Sequence, residues 1–199
     1  MVPVLETPRL YLRPLKLADV PAIQELFPQW EIVRYLTTRV PWPYPPDGAR
    51  RFIEDVALPA MERGDAWHWT LRHRSEPSRL IGGISLMRGE QENRGFWLEP
   101  RCHGQGLMSE ACRITTDYWF GTLGFPALRV QKAIANEASR RISLKQGMRI
   151  IKVEEREFVS GRLPAETWEL TAAEWRAAQE ASRAGRRTPD AGRDHPAGA

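Results

Sequence analysis

A chain of 199 residues, 42% hydrophobic and 27% charged, has the size and composition of one globular domain with a full core. No run approaches the ~18 apolar residues of a membrane span, and the opening MVPVLETPRL has neither the basic start nor the apolar block of a secretion signal. The net charge of +4 is dispersed, and the last 17 residues hold four arginines against two aspartates, so a nucleic-acid-binding face is disfavoured and a mildly basic surface suited to an anionic cofactor is the simpler reading.

In chain order, residues 9–15 (RLYLRPL) alternate as a strand does. Asp19 caps a short helix ending near Phe27. Residues 40–46 (VPWPYPP) form a proline-rich connection. Asp47 caps a second helix with Phe52, Ile53 and Val56 on one face, Pro59 as a kink and Gly64 as its stop. Strands follow at 67–74, 78–88 and 94–100, the last ended by Pro100. After a glycine turn comes a helix with Leu107, Ala111, Ile114 and Tyr118 on one face. A strand at 128–135 leads to Asn136, the cap of a helix ending at Gly147. Strands at 150–159 and 164–170 turn near 160–162, and Thr171 with Glu174 has the spacing of a capping box for a last helix. The domain spans 1–180. Residues 181–199, poor in apolar side chains and rich in Gly, Pro and Arg, are expected to be a disordered tail. The fold class is mixed α/β (α+β) with a mostly antiparallel sheet.

The two cysteines, Cys102 and Cys112, match no zinc spacing and suggest free thiols in a reducing, cytoplasmic setting. No His-plus-acid framework surrounds them, so they read as small packed residues rather than nucleophiles. No metal is expected.

The segment Arg101–Ala111, RCHGQGLMSEA, lies between a strand and a helix. The first turn of a helix has unpaired N–H groups and a partial positive charge. Gly104 and Gly106 remove the Cβ atoms that would hold an anion away from those amides, and Arg101 can add a charge. Ser109 stands where a dinucleotide fingerprint needs a third glycine, and no G-K-[ST] follows, so neither a Rossmann site nor a nucleoside-triphosphate loop is indicated. Alone, two glycines in a turn read first as an ordinary turn rather than as a phosphate site.

Arg101-x-x-Gly104-x-Gly106 after a strand resembles the acetyl-coenzyme A motif of the GNAT N-acetyltransferase superfamily. ANEASRRISLKQGM (135–148) resembles the N-x-x-S-x-x-x-x-x-K-x-G-F segment of its RimJ/RimL-like branch, with Asn136, Ser139, Lys145 and Gly147 matching and Met148 in place of Phe. The likeness extends over about residues 5–176. It implies the GNAT fold, with two splayed central strands flanked by helices, and acetyl-coenzyme A as co-substrate. Backbone groups near Trp97 and Leu98 would pair with the pantetheine arm. Amides of His103, Gly104, Gln105, Gly106 and Leu107 would hold the pyrophosphate. Asn136 would touch the cofactor near the thioester, and Ser139 would donate the proton to the leaving sulfur. The acceptor implied is a protein or peptide N-terminus. A small amine is the rival within the enzyme class and a non-catalytic coenzyme A sensor is the rival outside it. No nucleic-acid or membrane partner is expected, and the oligomer is a monomer or homodimer. Where the branch often carries a glutamate before the glycine turn, the aligned residue is Asn93, which cannot accept a proton as a carboxylate does. Strand alternation is expected to turn the adjacent Glu92 to the opposite face.

Overall fold

In the computed structural model, which describes residues 1–185, eight strands form two antiparallel ladders. The first has the order β1 (Leu5–Glu6), β2 (Leu10–Pro14), β3 (Ala66–His73), β4 (Glu76–Met87) and β5 (Arg94–Leu98). The second has the order β6 (Ala127–Ala133), β8 (Gly161–Thr171) and β7 (Arg149–Phe158). Helices α1 (Val20–Leu26), α2 (Trp30–Val33), α3 (Gly48–Arg51) and α4 (Leu58–Arg63) fall between β2 and β3. Helix α5 (Leu107–Gly121) links β5 to β6, α6 (Glu137–Lys145) follows β6, and α7 (Ala172–Gly185) closes the described chain.

Strand periodicity sorts the core. Trp67, Trp69 and Leu71 of β3 join Leu10 and Leu12 of β2 and Ile84 and Leu86 of β4 in a cluster with the buried stripe of α5 (Leu107, Met108, Ala111, Cys112, Trp119). The other face of β3 carries His68, Thr70 and Arg72. A second cluster, of Ile23, Phe27, Val33, Ala49 and Ile53, covers the α1–α4 side of the sheet. Arg72 on that face is tied to the buried Asp19 at 2.6 Å, while the other Asp19 oxygen accepts the Lys16 amide. Asp19 therefore starts α1 by turning its carboxylate back onto the chain rather than by binding an amide of the helix.

The helix expected after Asp47 is continuous to Arg63 but has a π-helical segment at Phe52–Ala57 directly before Pro59. Proline lacks the N–H of a regular turn, and the wider turn ahead of it accommodates this without breaking the helix. Gly64 ends it with φ 74°. The Thr171–Glu174 capping box is formed, with Thr171 N–H donating to Glu174 Oε2 at 2.7 Å and Glu174 N–H to Thr171 Oγ1 at 3.2 Å. The helix it opens reaches Gly185, so residues 181–185, expected to belong to a disordered tail, are helical. Residues 186–199 of that expected tail lie outside the described residues.

β5 and β6 are the splayed pair. The Asn93 amide donates to the Arg129 carbonyl at 2.7 Å and the Arg129 amide donates to Asn93 Oδ1 at 2.8 Å. Among the described residues no ladder joins the two strands beyond that point, and they lie in separate sheets. A wedge therefore opens from an apex at Asn93–Arg129.

Candidate active site

Which atoms of β5 face the wedge follows from its register. Asn93 O accepts from Met87 N and Glu99 N donates to Ile81 O, with the intervening pairs Gly95–Ser85 and Trp97–Gly83 in continuous register. In an antiparallel ladder, alternate residues direct both backbone groups to the same neighbour. Residues 95, 97 and 99, with the Asn93 carbonyl, thus serve β4, while the Asn93 amide turns to β6 and the backbone groups of Arg94, Phe96 and Leu98 face the gap. This corrects the expectation for Trp97. Its backbone is taken by β4, and its ring packs edge-on against Phe27 on the α1 side, 5.3 Å between centroids. Gly82 and Gly83 of β4 permit this close packing, since a Cβ would lie 2.5 Å from the Trp97 carbonyl at Gly82 and 2.8 Å from the indole nitrogen at Gly83. Leu98 keeps a backbone edge toward the gap, but its carbonyl is approached by His103 Nε2 at 2.8 Å.

The glycine turn stands at the open end of β5. His103 N–H is bonded to Pro100 O, so the run of donors expected at 103–107 begins at Gly104. Among the described residues the amides of Gly104, Gln105 and Gly106 have no hydrogen-bond partner, and α5 begins with no side-chain cap. Gly104 (φ 75°) and Gly106 (φ 77°) both adopt the left-handed conformation. A Cβ at Gly104 would meet nothing within 4 Å, so glycine is required there by the backbone angle and leaves the amides open to solvent. Unpaired donors, open space and the N-terminus of a 15-residue helix together suit a diphosphate. Arg101 is exposed beside the turn, and its carbonyl accepts from the Gln105 side chain at 2.9 Å.

Arg9 shapes this turn from 96 residues away. Its Nη1 donates to Gln105 O at 2.9 Å, its Nε binds Glu110 at 2.7 Å, and its own amide donates to Glu110 at 2.9 Å. Glu110, in the first turn of α5, is held as a carboxylate by these contacts, and despite partial burial its pKa is lowered. Nothing in the local sequence signals Arg9, because the contact is made by the first ladder folding across α5.

On the other side of the wedge, Asn136 caps α6. Its Oδ1 accepts from Ser139 N–H at 3.2 Å, and its Nδ2 makes no hydrogen bond among the described residues. Ser139 is buried, and its Oγ accepts from Lys132 Nζ at 2.8 Å. Lys132, on β6, is buried over the Phe96 ring at 5.5 Å. Burial, reinforced by the Arg94 cation, pushes its ammonium down to about 7. Arg94 is also buried, donating to Thr116, Gln146 and, at 3.9 Å, the Met148 sulfur, so the methionine found where the motif has phenylalanine packs against a cation.

The residues before β5 also differ from their expected arrangement. Asn93 is a clamp: its Nδ2 donates to the carbonyls of Met87 and Gly89, and its Oδ1 accepts from Arg129. Glu92, expected to point away, is half-buried, and its carboxyl is raised by desolvation while the Arg156, Arg39 and Lys132 cations partly offset this. The thiols of Cys102 and Cys112 are both pushed up by burial, Cys102 further by the Glu99 carboxylate, which is the opposite of nucleophile activation.

Splayed strands, an open glycine turn and antiparallel ladders flanked by helices define an acetyltransferase of the GNAT class. The sequence profile of the acetyltransferase (GNAT) domain matches residues 9–149, and the chain belongs to that family, whose co-substrate is acetyl-coenzyme A. The chain is 32% identical over 152 residues to the uncharacterized N-acetyltransferase YoaA of Bacillus subtilis (strain 168), covering 74% of this chain and 83% of that one. Its fold is similar to RimL, the ribosomal L7/L12 alpha-N-protein acetyltransferase in complex with coenzyme A (TM-score 0.72, 17% identity, 86% of this chain and 99% of that one). It is equally similar to the ribosomal-protein-S5-alanine acetyltransferase of Vibrio fischeri (TM-score 0.72, 16% identity, 87% and 98%). Among the described residues no helix is long and apolar enough to cross a membrane.

Proposed function

We propose that the chain moves acetyl from acetyl-coenzyme A to the α-amine of a protein or peptide by direct attack in a ternary complex. The observation that carries this reading is the open row of amides at Gly104–Gly106 standing at the mouth of a wedge whose far wall holds Asn136 and Ser139. The turn amides and Arg101 take the diphosphate, and the free edge of β5 at Phe96 and Leu98 takes the pantetheine amides. Asn136 Nδ2 donates near the thioester. Glu92 accepts the proton of the incoming ammonium, for which a raised carboxyl is better matched than an ordinary one. The nitrogen lone pair forms the new bond to the carbonyl carbon, charge on the oxygen is stabilised by a β5 amide, and the C–S pair leaves on sulfur, which takes a proton from Ser139. Holding amine and thioester together supplies much of the rate. A protein acceptor is favoured by the structural likeness to enzymes that acetylate ribosomal proteins, and the exposed Trp30–Trp42 pair, 5.7 Å between ring centroids, offers an apolar landing for the residues after the amine.

The test is thiol release from acetyl-coenzyme A across N-terminal peptides and small amines, with product mass. Mono-acetylation of peptide α-amines is the expected result, and acetylation of small amines alone overturns the acceptor assignment. Gly106→Glu places a carboxylate at the diphosphate seat and is expected to abolish acetyl-coenzyme A binding in calorimetry. The strain of a side chain at φ 77° costs about 1–2 kcal/mol and leaves the domain folded. Wild-type affinity in that variant overturns the placement.

A further inference from the structure

We propose that Lys132 is the proton source behind Ser139, so that the leaving thiolate is protonated by a lysine–serine relay. The inference rests on the proposed role of Ser139. A serine hydroxyl is a far weaker acid than a thiol, so giving its proton to a thiolate is uphill unless the hydroxyl is refilled in the same event. The donor that refills it is in place. Lys132 Nζ makes one hydrogen bond among the described residues, to Ser139 Oγ at 2.8 Å. It occupies an oxygen lone pair and leaves the hydroxyl proton free to point elsewhere.

The surroundings hold this ammonium ready to discharge. From β5, Arg94 adds a second buried cation, and its hydrogen-bond partners are all neutral. From α5, Cys112 is a buried thiol held protonated. From β8, Glu166 is bound bidentately by Arg140 at 2.8 and 3.0 Å and also accepts from Trp168, so it is not a hydrogen-bond partner of Lys132. From the turn before β5, Glu92 acts at longer range. Two buried cations without a hydrogen-bonded carboxylate favour negative charge arriving in the wedge, and the arriving charge is the thiolate. The chemistry balances. The nitrogen–carbon bond forms, the carbon–sulfur bond breaks with its pair on sulfur, sulfur takes the Ser139 proton, Ser139 takes a proton from Lys132, and neutral Lys132 regains through solvent the proton shed by the acylated nitrogen. Burial and the Arg94 cation make this ammonium a far stronger acid than an ordinary lysine, which brings it toward the range of a thiol and makes it a better donor to the thiolate than the serine hydroxyl alone.

Two measurements test this. In the first, kcat/KM for acetyl transfer is followed against pH. The relay needs Lys132 charged, so the wild type loses rate as pH rises through the Lys132 midpoint. Lys132→Met is expected to lower kcat about 100-fold, keep acetyl-coenzyme A affinity and lack that alkaline limb. A limb unchanged in Lys132→Met overturns the proposal. The second needs no acceptor. The chain has four lysines, Lys16, Lys132, Lys145 and Lys152, so ε-carbon-labelled lysine resolves each by NMR. Coenzyme A is expected to couple its thiol ionisation to the Lys132 titration. Desulfo-coenzyme A does not, and Ser139→Ala removes the coupling. Identical Lys132 curves with the two ligands overturn the relay, whatever amines the enzyme accepts. Coupling seen with no peptide acetylated keeps the relay and sinks the acceptor assignment instead.

Discussion

In the proposed relay Ser139 serves local structure and chemistry at once. Its amide completes the Asn136 cap in the first turn of α6, a contact that fixes the backbone, while its hydroxyl is bonded to β6 through Lys132. Removing the hydroxyl leaves the cap intact, so Ser139→Ala is expected to lower kcat about 100-fold with an unchanged dissociation constant for acetyl-coenzyme A. Equal losses in both would mean that the serine shapes the site and moves no proton. Glu92 titrates in the opposite direction from Lys132. In the proposed reaction its carboxylate form accepts the proton, so rate is expected to be gained as pH rises through its raised midpoint and Glu92→Gln to flatten that acidic limb. The two residues therefore bound the pH profile from its two sides.

The wedge belongs to the scale of elements. Asn93 makes its three side-chain hydrogen bonds within the turn before β5 and to β6, and leucine of similar size can make none of them. Asn93→Leu is expected to cost about 2 kcal/mol, measured by urea unfolding, and to weaken acetyl-coenzyme A binding as the apex loosens. Full stability in that variant would show that the strands are held together elsewhere. What the sequence made legible here was short-range. The glycine turn, the Asn136 cap, the Thr171 capping box and the alternation in β3 all declare themselves within a few residues, and each is present. Which backbone edge of β5 faces the gap depends on its register with β4, which a single strand does not reveal, so the sequence points to Trp97 where the free edge belongs to Phe96. Arg9, Glu92 and Lys132 act through partners distant in the chain. Lys132 in particular reads as an ordinary polar position of β6 until α6 is folded over it.

For the whole molecule, the site weakens the fold. Unfolded, Lys132 titrates near 10.5, and folded near 7, so the folded state refuses a proton that the unfolded state holds. This linked destabilisation is absent above 10.5, grows as pH falls toward 7, and is constant below. At about 1.4 kcal/mol per unit it reaches on the order of 5 kcal/mol. Lys132→Met is accordingly expected to unfold at higher urea than wild type at pH 7, with the difference shrinking toward pH 10. A variant less stable than wild type at pH 7 would mean that the lysine supports the core. His68, pushed down by burial to about 4 and set against Ser85 at 2.6 Å, adds a second and separate window, in which stability falls as pH drops from 6.5 to about 4.

Arg9 also bears on how the glycine turn depends on the leading segment. The loop proposed to seat the diphosphate is hydrogen-bonded to a residue 96 positions earlier in the chain. Displacing the segment that carries Pro3 and Arg9 would thus loosen that loop together with the Trp69 indole, which donates to the Pro3 carbonyl at 2.7 Å.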